Sequence, residues 1–342
     1  MKKLLFLACF TLLLASCEEN TSKDEKQEVN IYTHRHYESD QELFKLFEEE
    51  TGIQVNVINA SADELIQKMV LEGAQSPADV LITVDAGRLF RAKEKELLQS
   101  VSSSFLDSIV PTHLKDEQNQ WFALTKRARV VAYAKERVDP SEIISYENLV
   151  NEEWKGKLLL RSSSNIYNQS LMASIIANNG EEAASLWAKA LVGNMARSPK
   201  GNDRDQVIAV AKEEGDLAVV NTYYIGKMLQ SNDKTELESA QKVGIYFPNQ
   251  DDRGTHINIS GAGVAKYAPN KENATAFIEF LLSEKAQAIF ASSNFEYPVN
   301  EAVEMADLLK QWGEFKEDKL SLNKLGEFNK RAVILFDEAG WK

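Results

Sequence analysis

The chain has 342 residues, 44% hydrophobic and 27% charged, with seven prolines and sixteen glycines, a composition that excludes collagen-like and low-complexity architectures. A formal net charge of −13, or −15 if Lys2 and Lys3 leave with a leader, excludes a nucleic-acid binder that works by bulk electrostatics. Two cysteines (Cys9, Cys17) and four histidines (His34, His36, His113, His256) supply no zinc ribbon, no C-x-x-C and no H-E-x-x-H.

Lys2 and Lys3 precede an apolar run of 11 residues, Leu4–Leu14. A spanning helix needs about 20. The run therefore reads as a signal peptide over 1–16. Leu14-Ala15-Ser16-Cys17 resembles a bacterial lipobox, which makes Cys17 the expected lipidated first residue after cleavage. Residues 17–28 form a polar, charged tether without apolar periodicity. The protein is expected to be exported and held on the periplasmic side of a bacterial membrane.

The folded body starts near Val29 and alternates strands with helices. Val29–Tyr32 reads as a strand, and Ser39 with Glu42 as a capping box for the helix carrying Leu43, Phe44, Leu46 and Phe47. Thr51-Gly52 stops that helix. A strand over Ile53–Ile58 and a helix over Ala62–Leu71 follow. Asp79–Val84 is a continuous apolar strand of the kind buried on both faces. Gly87–Leu97 reads as a helix, Arg129–Tyr133 and Leu158–Arg161 as strands, and Leu171–Ala177 as a helix. Leu217–Val220 is a strand with a helix behind it through Met228. Ile257–Val264 is a strand broken at Gly261 and Gly263, and Phe277–Phe290 is one amphipathic helix. Leu325, Phe328, Ala332, Leu335 and Phe336 recur at helical spacing in the tail. The alternation argues for an α/β protein with mostly parallel sheets, and the length for two lobes.

In open α/β sheets ligands bind beyond the carboxyl ends of the strands. Three such junctions carry tyrosine: Thr33-His34-Arg35-His36-Tyr37, Ser162-Ser163-Ser164-Asn165-Ile166-Tyr167, and Asn221-Thr222-Tyr223-Tyr224, with Asn221 the expected N-cap. A phenol has a pKa of about 10. A highly charged cation stabilises the phenolate, and oxygen donors suit a hard ion such as ferric iron. Three or four phenolates also offset its three positive charges, and an imidazole fills a further position. Each tyrosine taken singly reads more readily as a packing residue with a wet hydroxyl. The pattern alone does not choose between a metal and an aromatic-lined pocket for an organic ligand.

These segments, with Lys126-Arg127-Ala128-Arg129-Val130 and Asn258-Ile259-Ser260-Gly261-Ala262-Gly263, resemble the ferric-iron-binding proteins of ABC importers, in the tyrosine-rich Fut type. The resemblance implies a two-lobed periplasmic-binding-protein fold (type II) with mixed, mainly parallel sheets and hinge strands. Lobe 1 would be 29–125 with 255–300, lobe 2 would be 126–254, and 301–342 would brace both. It also implies that Tyr37, Tyr167, Tyr223 and Tyr224 ligate Fe(III) across the cleft, with His36 as a further ligand or close by; fewer phenolates with histidine would suit Fe(II). The implied partners are a permease and its ATPase, and no nucleic acid. A monomer is expected.

Arg127 and Arg129 alternate on a strand and share a face; they are expected either to hydrogen-bond around a ligand oxygen or to form ion pairs. His34 and His256 read as structural. Asp85 reads as an N-cap for the Gly87 helix, with a place on the cleft wall as the alternative. Two other functions compete: a binding protein for a sugar or polyamine, stacked on the same aromatics, and an exported hydrolase. No G-x-S-x-G elbow is present, and no enzyme is expected.

Overall fold

The computed structural model describes residues 27–35 and 37–342. The leader, Cys17, the tether through residue 26, and His36 lie outside the described residues.

The strands are β1 (Glu28–Thr33), β2 (Gln54–Asn59), β3 (Val80–Val84), β4 (Phe122–Ala134), β5 (Leu158–Leu159), β6 (Leu217–Asn221), β7 (Val243–Tyr246), β8 (Ile257–Val264) and β9 (Tyr297–Pro298). They run in the order β2-β1-β3-β8-β4-β6-β5, with β7 and β9 also paired to β4. β4 belongs to both halves of the molecule. Its first part, from Phe122 to Ala128, pairs with β8, and its second, from Arg129 to Tyr133, pairs with β6. Glu28 is the first residue of β1, so the strand begins one residue inside the expected tether.

The α/β alternation is present, but among the described residues parallel pairing between two strands is confined to β1–β2, β1–β3 and β5–β6. Every pairing made by β4 or β8 is antiparallel. A chain that crosses from one half to the other on one strand and returns on its neighbour must run antiparallel there. The sheets are therefore mixed, with the antiparallel part at the crossing.

Several sequence expectations need correction. β8 is continuous through Gly261 and Gly263. The glycines are required by close approach: a Cβ would lie 2.7 Å from the Phe122 carbonyl oxygen at Gly261 and 2.5 Å from that of Gln120 at Gly263. Phe277–Phe290 is not one helix but parts of two, Lys271–Leu281 and Glu284–Asn294. Ser283 starts the second by accepting from the Ala286 amide at 3.3 Å. Ser39 is not a cap; it sits inside the helix Glu38–Thr51, buried, and its hydroxyl accepts from Asn294. Gly52 does stop that helix, at φ 73°.

The Asp85 expectation is borne out, since its carboxylate accepts from the Gly87 amide at 2.8 Å. Asp85 also has φ 82°, a conformation that costs a non-glycine residue about 1–3 kcal/mol. The tail forms the helices Asn323–Glu327 and Asn329–Ala339. The first packs on both Ala86–Glu94 and Ile166–Asn179; the second packs on Ile166–Asn179 and Glu181–Gly193.

Candidate metal centre

Three strand-to-helix junctions bring four phenols together. Tyr37 is the residue before helix Glu38–Thr51, and its amide donates to Asp40 of the first turn. Tyr167 lies in the first turn of helix Ile166–Asn179, where the Asn165 side chain accepts from its amide at 3.1 Å. Tyr223 and Tyr224 lie in the first turn of helix Thr222–Leu229. Asn221 precedes that helix without capping it by its side chain, because its carbonyl oxygen accepts from Arg129 at 3.1 Å instead.

The Tyr167 and Tyr223 hydroxyls are 3.3 Å apart. The Tyr223 and Tyr224 rings stack with centroids 4.2 Å apart. Tyr37 joins them from the other side. Lys227, one turn beyond Tyr223 and Tyr224, places its Nζ 3.7 Å from the Tyr37 ring centroid, so the Tyr37 junction and the Tyr223–Tyr224 helix meet at contact distance. Tyr223 is buried and the other three phenols are half-buried.

Burial pushes the Tyr223 phenol well above its ordinary value, and the neighbouring oxygens of Tyr167, Tyr37 and Tyr224 push it further. Tyr37 is also raised, by burial and then by Glu296, against the pull of Arg35 and Arg127. Tyr224 is pushed up to about 12 by burial and by Tyr167. Three of the phenols are therefore neutral at pH 7 until a cation arrives.

A ring of cations surrounds them. Arg35 lies 4.8 Å from the Tyr37 ring centroid and Arg127 lies 5.4 Å from that of Tyr223. Arg129 and Arg161 lie 5.9 and 5.7 Å from the Tyr167 ring. Burial, with Arg35 and Arg204 nearby, lowers Lys227 to about 8 against the opposing pull of Glu296. The ion-pair reading of the two strand arginines holds. Arg127 pairs with Glu296 and Arg129 with Asp203 at 2.9 Å, and each guanidinium also faces a phenol ring.

Glu296 joins the network across the crossing strands: it pairs with Arg127 and, at 3.3 Å, with Arg35. Burial would raise its carboxyl, but the two guanidiniums more than offset this and hold it below the usual carboxylate range. Removing one partner of a buried pair leaves an uncompensated charge. Glu296→Gln is therefore expected to lower the unfolding free energy by about 3–5 kcal/mol, measured by denaturant melts of the metal-free protein. A loss under about 1 kcal/mol would show that the guanidiniums are compensated elsewhere. Because the folded pKa lies below the unfolded one, this contribution is complete above the unfolded value and is lost as pH falls.

The structure thus brings together Tyr37, Tyr167, Tyr223, Tyr224, Arg127 and Arg129. His34 is structural: its Nδ1 accepts from the Val84 amide at 3.3 Å. His256 is buried behind the site, and burial with Arg129 and Arg253 nearby holds it neutral, down to about 3. Sequence reasoning missed Lys227, Glu296, Arg161 and Asp203. Lys227 carried a readable signal, since three or four residues beyond Tyr224 and Tyr223 share a helix face. Glu296 lies between a helix and a two-residue strand, where no periodicity points to it.

Residues 75–316 match the family described as bacterial extracellular solute-binding protein. The chain is 49% identical over 336 residues to iron uptake protein A1 of Synechocystis, covering 96% of this chain and 93% of that protein. A Trichodesmium protein, IdiA or FutA, solved in complex with iron and citrate ligands, superposes with a TM-score of 0.90 at 49% identity. That match covers 92% of this chain and 100% of the other. The ferric binding protein of Campylobacter jejuni superposes with a TM-score of 0.87 at 46% identity, over 92% of this chain and 100% of that one. The chain belongs to the family of bacterial extracellular solute-binding proteins, on the branch of its iron uptake and ferric-binding members.

Proposed function

We propose that this protein captures Fe(III) between its lobes through the phenolates of Tyr37, Tyr167, Tyr223 and Tyr224 and delivers it to an ABC permease driven by its ATPase. The observation that carries this reading is the convergence of phenols from three separate junctions on one point, with Tyr167 and Tyr223 oxygens 3.3 Å apart. In the lobe division 29–125 with 255–300 against 126–254, Tyr37 faces the other three across the cleft. The metal then bridges the lobes and favours closure, because only the closed state offers the full ligand set. His36, adjacent to Tyr37, is a candidate fifth ligand. Residues 301–342 brace both lobes.

Charge suits a centre of phenolates. Arg35, Arg127, Arg129, Arg161 and Lys227 face Asp40, Glu296 and Asp203, a surplus of positive charge around the phenols. Four phenolates leave one negative charge on Fe(III) and two on Fe(II), and five cations against three anions offset either; the hard, all-oxygen donor set is what favours the ferric ion. The same surplus repels a polyamine. Tyr223 and Tyr224 stack on each other and so do not form walls for a sugar. The family context supports export, and the Leu14-Ala15-Ser16-Cys17 segment supports Cys17 as the lipid anchor of what we read as a monomeric, non-catalytic carrier.

Titration with ferric iron at neutral pH tests the reading. A coloured complex with a phenolate-to-iron charge-transfer band is expected at one iron per chain. A protein that stays colourless and leaves the iron with a weak chelator overturns it.

A further inference from the structure

We propose that Asp85 is a positioning residue: acting through Ser170, it ties the helix that carries Tyr167 to the opposite lobe and sets how slowly the closed cleft releases its metal. This rests on the iron-binding reading above.

Asp85 directly follows β3, in the lobe that supplies Tyr37. Its carboxylate accepts the Ser170 hydroxyl at 2.8 and 2.7 Å from the two oxygens. Ser170 lies one helical turn beyond Tyr167 on helix Ile166–Asn179. The same carboxylate accepts from the Asn258 amide group on β8 at 2.8 Å and from the Gly87 backbone at 2.8 Å. Asn258 in turn accepts from the Ala86 amide at 3.0 Å. One buried carboxylate therefore joins a strand of lobe 1, the returning crossing strand and the Tyr167 helix of lobe 2. Asp85 and Ser170 are both fully buried.

A glycine would adopt φ 82° at ease, so the aspartate keeps this strained conformation for what its side chain does. A plain N-cap needs only the Gly87 contact. The Ser170 contact adds nothing to the cap, but it fixes Tyr167 relative to Tyr37. Hydrogen bonds to a buried carboxylate are strong and are costly to leave unmade. Opening the lobes by withdrawing the Tyr167 helix must break this one.

Ser170→Ala removes the link and suits a helix. The control is Ser174→Ala, one turn further along the same helix, where the buried hydroxyl donates only to the Leu171 carbonyl at 2.7 Å. Iron release to excess chelator is followed by stopped-flow at the charge-transfer band. Ser170→Ala is expected to release iron about tenfold faster than wild type with the band position unchanged, and Ser174→Ala at the wild-type rate. Release at the wild-type rate from Ser170→Ala overturns the proposal even if that variant melts earlier, and so does equal acceleration by Ser174→Ala. If the wild type takes up no iron, the iron-binding reading falls separately. The link is then judged by small-angle scattering of the metal-free protein, where no widening in Ser170→Ala overturns it.

Discussion

Tyr223→Phe is expected to weaken ferric iron binding by more than a hundredfold while the protein stays folded. The ring has its own support. It stacks on Tyr224 at 4.2 Å, clusters with Phe295 and Leu309, and lies under Arg127. Phenylalanine keeps all of these contacts. The hydroxyl meets Tyr167 at 3.3 Å, and losing such a bond costs the fold about 0.5–1.5 kcal/mol. Partners that only orient a metal ligand are each worth about 10–100-fold in affinity, so a direct phenolate ligand exceeds that range. A hundredfold loss is about 2.7 kcal/mol, larger than the folding term, and the two are separable by experiment. Competition against a chelator reads the first; the melting temperature of the metal-free protein reads the second. Tyr224→Phe should behave alike. If both variants bind within threefold of wild type, the rings only pack and the assignment of this pair fails.

The strand-to-helix junctions were legible because their signals are local. β3 is apolar throughout and buried throughout, as a strand covered on both faces must be. Gly52 and Asp85 announce a helix end and a helix start through conformations their neighbours in sequence already suggest. Placing the tyrosines on the same helical turns depended on nothing distant. The failures are non-local. Gly261 and Gly263 read as a break because glycine usually disfavours strands; the backbone that demands them, at Phe122 and Gln120, is about 140 residues away in the chain. Asn221 read as a cap because asparagine caps helices; Arg129, arriving from β4, takes its carbonyl oxygen first.

The counter-charges show the same division. Arg127 and Arg129 could be put on one face from their alternation, but not matched to Glu296 and Asp203, which reach them only through tertiary folding. The sequence therefore showed which groups could ligate and hid what fixes their electrostatics. Ser170 is a further case. It reads as an ordinary polar residue within a helix, and only the fold sets Asp85 against it.

Acidification by one pH unit is expected to weaken ferric binding by about three powers of ten or more. Tyr37, Tyr223 and Tyr224 are all held above the ordinary phenol value, so the metal-free protein carries their protons at neutral pH. Ligation requires phenolates, and each proton released on binding adds one decade of affinity per unit of pH. The sign follows: affinity grows as pH rises and falls in acid. Lys227 works against the trend only near its own value of about 8, where a newly negative centre would draw a proton onto it. Between about pH 5.5 and 7 Lys227 is already charged, and the slope belongs to the phenols, with at most one further proton from the imidazole of His36 where it ligates. A centre built from carboxylates would behave differently, because carboxylates are ionised across that range and release almost nothing. Proton release on adding iron to a weakly buffered solution, corrected for hydrolysis of the free metal, gives the stoichiometry directly. Three or more protons per iron match neutral phenols at the centre; release of one or none would mean that oxygens other than these hold the metal.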